Sequence, residues 1–226
     1  MEKNNRIIGR IEECERLDRC MRSDSSQLVV VYGRRRVGKT FLINEYFNYK
    51  FAFKLTGVYG EKRKIQLRNF ALELNRRTGV KQEDPKDWTE AFSYLRSYME
   101  SLDSSVKQVV FLDELPWLDS KRSGFLSAFE YFWNDYASTK HNFIFVLCGS
   151  ATSWMDEKIT KNKGGLFNRQ TCRLYLEPFT LNETEKFLDK KGINWSRYEI
   201  AECYMIMGGI PYYLDLLDSE LSLKQN

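Results

Sequence analysis

The sequence predicts an α/β fold built on a parallel sheet covered by helices on both faces. Short runs that are apolar throughout recur at Leu28 to Tyr32, Val109 to Leu112 and Phe143 to Leu147. Segments with apolar residues at helical spacing alternate with them. A glycine-bracketed basic turn, VYGRRRVGKT, joins the first run to a helix-like segment. A strand buried on both faces loses the polar alternation of a half-exposed one, and strands separated by helices pair in parallel.

The elements follow in order. Residues 11–22 read as a short polar helix after the segment IIGR, and 28–32 as the first strand. Lys39 to Phe47 carries Phe41, Leu42 and Tyr46 and reads as a helix; Phe51 to Leu55 is the second strand. Leu67, Phe70, Ala71 and Leu74 mark one helix, and Trp88, Phe92, Leu95, Met99 and Leu102 another. Val109 to Leu112 is a strand ending at Asp113-Glu114. Phe125, Phe129, Phe132 and Tyr136 mark a helix, and Phe143 to Leu147 the next strand. From about residue 179 the pattern changes. Thr180-Leu-Asn-Glu183 reads as a capping box, Gly192 ends that helix, and Ile200, Cys203, Tyr204 and Met207 mark another. GGIPYYL opens a third, with no strand in this tail. The chain therefore divides into a core, 1–178, and a small helical subdomain, 179–226, that stops without a clear ending.

Gly33-Arg34-Arg35-Arg36-Val37-Gly38-Lys39-Thr40 fits G-x-x-x-x-G-K-[ST], with Phe41 following. Glycines let the backbone turn so that successive N–H groups point at phosphate, and the next helix presents its positive end to the same anion. Lys39 is placed for the β- and γ-phosphates and Thr40 for Mg²⁺. The three arginines read as a solvated rim beside the phosphates.

VVFLDELPWL (109–118) ends an apolar strand in two carboxylates, at the sheet edge where ligands sit in open α/β folds. Asp113 is placed to hold Mg²⁺, and Glu114 to polarise a water attacking the γ-phosphate. No Asn-Lys-x-Asp motif occurs; the nearest string is Asn162-Lys163-Gly164-Gly165, so adenine is favoured over guanine. Ser150, after the strand FIFVLCG, is a candidate for touching the attacking water or the γ-phosphate. As a serine before a segment read as helical from 151 to 158, it is equally a helix cap. Arg169, after the glycine-containing run KNKGG, is a candidate for stabilising charge on the γ-phosphate of its own or a neighbouring subunit; a surface arginine is the alternative.

Composition narrows the classes. The chain has 226 residues, 42% of them hydrophobic, and a net charge of only +4, which does not by itself announce a nucleic-acid partner. No stretch nears the run of about 18 apolar residues needed to span a membrane, and MEKNNRIIGR has no apolar signal core. Five widely spaced cysteines read as free thiols in a reducing cytoplasm. The sole histidine, His141, argues against a histidine metal site or a Ser-His pair.

IIGRIEECERL (7–17), VYGRRRVGKT (31–40), FLDELPWL (111–118), CGS (148–150), LYLEPF (174–179) and MGGIPYYL (207–214) together resemble the archaeal-type ATPases of the AAA/STAND superfamily of P-loop NTPases. The resemblance implies a five-stranded parallel sheet of the ASCE type, in order 5-1-4-3-2, followed by a helical lid. It implies that Ile8, Gly9 and Arg10 pack near the adenine, and that Gly209 and Pro211 form a Gly-x-Pro element sensing nucleotide from the lid. The family usually has glycine where Asn168 stands. Members often carry a further C-terminal region, expected here beyond residue 226. The expected ligands are ATP or ADP with Mg²⁺. The expected partners are a second copy of the chain, and a protein or DNA engaged through that further region; no membrane is expected. An ATP-hydrolysing switch or motor with slow turnover is the leading function, and a nucleotide-binding interaction module with negligible hydrolysis is the alternative.

Overall fold

The computed structural model describes residues 6–161, 164–166 and 168–226. Residues 1–5 of the N-terminal segment, Asn162 and Lys163 of the KNKGG run, and Phe167 lie outside the described residues.

Five parallel strands form the sheet: β1 (Gln27–Gly33), β2 (Phe53–Thr56), β3 (Gln108–Asp113), β4 (Phe143–Gly149) and β5 (Cys172–Leu176). They lie in the order β2-β3-β4-β1-β5. This is the 5-1-4-3-2 order that the resemblance implied, seen from the other edge. β4 pairs in parallel with both β1 and β3, in registers that match Val31 with Cys148 and Leu112 with Leu147.

Alternate residues of each central strand serve two cores. Leu28, Val30, Val110, Leu112, Phe145 and Leu147 face α3 (Arg63–Thr78), α4 (Trp88–Glu100) and α6 (Phe125–Asp135). Val29, Val31, Phe111, Val146 and Cys148 face α1 (Ile11–Arg22) and α2 (Lys39–Tyr46). Two covered faces explain why these strands are apolar throughout.

The differences from expectation have local causes. β2 starts at Phe53 rather than Phe51, because Phe51 packs against the rings of Phe47 and Phe111 before the ladder begins. β5 escapes the search for apolar runs because it is an edge strand. Its Cys172, Leu174 and Leu176 are buried while Arg173 and Tyr175 are exposed. A short turn of helix, α5 (Leu115–Leu118) with Pro116 in its first turn, follows Glu114. The helix read at 151–158 is shorter: α7 (Thr152–Met155) runs into a wider π-type turn at Asp156–Thr160.

Beyond β5, α8 (Leu181–Lys190), α9 (Arg197–Met207) and α10 (Pro211–Asp215) surround a separate small core of Phe179, Leu188, Ile193, Ile200, Cys203 and Leu214. Capping boxes at Thr180/Glu183 and Ser196/Glu199 start α8 and α9. The Phe179 N–H donates to the Gly209 carbonyl at 2.7 Å. Gly209 has φ +63°, and a Cβ there would collide with the Phe179 carbonyl, so only glycine closes this contact.

The larger core centres on an aromatic cluster in which Phe92 touches Phe70, Trp88, Phe125, Phe129 and Phe132. Truncating such a residue removes its own burial and leaves a cavity that rigid ring neighbours cannot close. Phe92→Ala is expected to lower unfolding free energy by about 3–5 kcal/mol, read as a lower urea midpoint with an unchanged slope.

Candidate functional site

The loop after β1 is held by two glycine positions of different character. Gly33 has φ +142°, and a Cβ on it would strike the carbonyl of Leu176, the last residue of β5. Gly38 precedes α2 with φ +88°; the space around it is open, so the backbone angle alone asks for glycine. Lys39 is 6% exposed, and its Nζ donates to the carbonyls of Gly33 at 3.0 Å and Arg34 at 2.7 Å. Burial pushes its pKa below the usual lysine range, against the opposing pull of Glu114 and Asp113. An ammonium desolvated in this way, with neutral carbonyls as its hydrogen-bond acceptors, is poised to take an anion.

The ends of β3 and β4 complete the edge. The Thr40 hydroxyl donates to Asp113 Oδ2 at 2.9 Å, and the Glu114 N–H donates to Asp113 Oδ1 at 3.0 Å. Asp113 is 3% exposed; burial raises its pKa, and hydrogen bonds from the Cys148 thiol and Thr40 hold it down in part. Glu114 leaves the strand with φ +49°, a left-handed conformation costing a non-glycine residue about 1–2 kcal/mol. Its Oε1 accepts from the Ser150 hydroxyl at 2.7 Å. Ser150 does not cap α7, whose preceding residue is Ala151, so the helix-cap expectation fails, and its hydroxyl is turned to Glu114 instead. Cys148, quoted in sequence only as part of CGS, was given no role beside Asp113; its register opposite Val31, at the end of β4, places it there. Thr40 and Asp113 offer the hard oxygen donors that suit Mg²⁺.

A cavity of about 390 Å³ lies between the loop and the lid. Ile8, Phe41, Phe179, Phe187, Pro211 and Tyr212 line it, with Val37 and Gly38 at the loop side. Ile8, Arg10, Phe41 and Pro211 thus meet at one apolar pocket beside the loop, of the kind that takes a planar base. Phe179 and Tyr212 lie in the segments LYLEPF and MGGIPYYL but were given no role of their own by sequence, and Phe187 lies in neither segment. Gly9 and Gly209 serve the backbone: a Cβ on Gly9 would run into the Glu183 side chain.

Arg10 is buried, and it does more than flank the cavity. Its guanidinium donates to the carbonyls of Val37 at 3.1 Å and Glu177 at 2.7 Å, pairs with Glu13 at 3.2 Å, and lies 4.9 Å from the Phe179 ring centre. Its N–H donates to Glu183 Oε1 at 3.0 Å. One residue therefore joins loop, β5 exit and lid. Arg36, exposed and left-handed at φ +71°, makes a second link. It donates to the Tyr213 hydroxyl at 2.8 Å and lies 4.7 Å from the Tyr212 ring centre. Arg34 and Arg35 are exposed on the rim.

The structure does not bring Arg169 to the loop of its own chain. Thr171, two residues on, donates its N–H to the carbonyl of Leu28 at 3.0 Å, at the start of β1. Five residues at about 3.3 Å each separate that point from Gly33, so Arg169 lies at the opposite edge of the sheet. It is exposed there, open to a second molecule. Asn168 has φ +53°, a conformation asparagine tolerates better than most residues, which accounts for its standing in a glycine position.

A family model described as an ATPase domain predominantly from Archaea matches residues 8–217. The chain belongs to this family. An uncharacterized protein of Methanocaldococcus jannaschii, MJECL04, is 27% identical over 223 residues, 95% of this chain and 46% of that protein. The chain thus spans about half the length of that relative. Among solved structures, the Walker-type ATPase paby2304 of Pyrococcus abyssi aligns over 95% of this chain and 68% of its own, with a TM-score of 0.66 and 21% identity. A Signal Transduction ATPase with Numerous Domains with a tetratricopeptide repeat sensor, PH0952 of Pyrococcus horikoshii, aligns over 96% of this chain and 30% of its own, with a TM-score of 0.59 and 17% identity. Both share the fold of this ATPase-family chain. None of its described helices is long and apolar enough to cross a membrane.

The Glu183 clasp generates a pH prediction. Burial would raise this carboxyl, but hydrogen bonds from the N–H groups of Thr180 and Arg10 and from the Thr180 hydroxyl outweigh it and hold the pKa below the usual glutamate value. A depressed folded-state pKa gives stability that is present above the unfolded-state value and lost as pH falls through the folded one. Glu183→Gln should lower the melting temperature at neutral pH, and its deficit against wild type should shrink below about pH 4.

Proposed function

We propose that the chain is an ATP-hydrolysing switch or motor, with a core at 1–178 and a lid at 179–226. The carrying observation is the convergence of Lys39, Thr40–Asp113 and Ser150–Glu114 on one sheet edge, beside an apolar cavity that reaches the lid. In this reading the N–H groups between Gly33 and Phe41 and the Lys39 ammonium hold the phosphates. Ile8, Phe41 and Pro211 enclose the adenine, and Gly9 and Gly209 hold the backbone that frames it.

Thr40 and Asp113 would hold Mg²⁺, which when bound neutralises charge on the phosphates. Glu114 accepts the proton of the attacking water, and the Ser150 hydroxyl orients its carboxylate. Arg10 and Arg36 tie the loop to the lid, so a change at the phosphates moves the lid. The fold likeness to a signal-transduction ATPase supports the switch. Arg169 acts in trans in this reading, on nucleotide held by a second copy. Further protein or DNA partners belong to the same reading.

The same ties favour a second reading. A nucleotide enclosed by Arg10 and Arg36 leaves slowly, which suits a binding module with negligible hydrolysis.

ATP binding and phosphate release with Mg²⁺ separate the two. Lys39→Ala should lose nucleotide affinity. Glu114→Gln should bind ATP while its turnover falls about a hundredfold or more. Binding by wild type with no phosphate release, even in concentrated, DNA-supplemented samples, would establish the module; no binding at all would end both readings. Arg169→Ala should depress turnover per chain only at concentrations where copies associate. An equal loss in dilute samples would refute the trans role.

A further inference from the structure

Folding collects an aromatic and basic surface from three segments that are far apart in sequence. Tyr59, 76% exposed, packs edge-on against Trp117 with ring centres 4.6 Å apart. Arg35 of the loop lies 6.0 Å from the Trp117 ring centre, next to exposed Arg34. Residues 58–65 form an unbroken exposed run that carries one acid, Glu61, and three bases, Lys62, Arg63 and Lys64. Lys121 and Arg122 are exposed four and five residues after Trp117.

Some exposed arginines on other faces have carboxylate partners: Arg76 with Glu73, Arg96 with Glu100 and Asp135, Arg197 with Glu185. Among the described residues, no ion pair involves Arg34, Arg35, Lys62–Lys64, Lys121 or Arg122. The start of α3 is also reversed in sign. Its first turn holds Arg63 and Lys64 and no acidic residue, against the positive end of the helix. Tyr59 and Trp117 thus stand among cations that have no ion-pair partner among the described residues.

We infer that this surface binds single-stranded nucleic acid, Tyr59 stacking a base and the surrounding lysines and arginines taking phosphates. Aromatic faces among unpaired cations are the two components of a sequence-tolerant strand-binding groove. An acidic protein segment would use the cations but would leave the exposed ring of Tyr59 without a role. The surface also touches the acidic pair. The Gly57 N–H donates to the Asp113 carbonyl at 2.9 Å, Gly57 packs against the Glu114 carbonyl and the Trp117 Cβ, and Gln66 hydrogen-bonds both Val58 and the Trp117 carbonyl. A strand held here would press on the backbone that carries Asp113 and Glu114.

The test is fluorescence anisotropy of labelled oligothymidylate and oligouridylate, about 20 nucleotides long, with the whole chain free of nucleotide. Binding should weaken linearly in log affinity against log salt. Tyr59→Ala should cost about tenfold. Arg63→Glu with Lys64→Glu should cost more and flatten the salt slope. Lys81→Glu with Lys186→Glu, the same charge change at exposed positions elsewhere, should retain most of the affinity. Preference between the two oligonucleotides separates DNA from RNA. The inference is overturned by no binding at low salt, by equal losses from both double variants, or by an affinity that ignores Tyr59 while polyglutamate competes as well as the oligonucleotide. Every substituted residue is exposed, and a melting curve for each variant confirms that it is folded.

Discussion

The carboxyl edge of this molecule depends on β4 being paired in parallel on both sides. β1 carries the loop and β3 carries the acidic pair, and β4 stands between them. Two strand spacings of about 4.8 Å each therefore separate Gly33 from Asp113, a gap wide enough for a phosphate group. Thr40, at the start of α2, crosses that gap to Asp113, and Ser150, one residue past β4, reaches Glu114. Without β4 in this position the loop and the carboxylates would be adjacent, with no room between them.

Some of the left-handed backbone positions lie where these elements meet. Arg10, Arg36 and Glu114 are left-handed without being glycine, and Gly9, Gly33, Gly38 and Gly209 are glycines that their surroundings or their angles require. Such positions persist only where the neighbouring structure over-determines them. Here the close approach of β5 to the loop, and of Phe179 to Gly209, does so.

The arginines divide into two groups by their partners. Arg10 and Arg36 hold the loop to the lid through carbonyls, a carboxylate and tyrosine rings. Arg34 and Arg35 stay on the rim with no ion-pair partner among the described residues. Four residues of similar chemistry within one site thus have separate tasks: buried Arg10 serves carbonyls and a carboxylate, exposed Arg36 reaches tyrosines, and Arg34 and Arg35 stay on the rim.

Much was legible in the sequence. Wholly apolar runs announced strands covered on both faces, helical spacing announced the layers, and the spacing of Gly33, Gly38, Lys39 and Thr40 announced an anion-binding turn. These are local properties, fixed by backbone sterics and by which side chains avoid water. The edge strand β5 was not legible as an apolar run, since one covered face leaves it alternating. Tertiary structure alone decided the rest. It turned Ser150 to Glu114, a contact no sequence reading offered, carried Arg169 to the far edge of the sheet, and made Arg10 a clasp. It also gathered Arg35, Tyr59, Lys62 and Trp117 onto one surface, although the sequence disperses them. Those outcomes depend on strand order and on distances between residues many positions apart, which only the packed sheet sets.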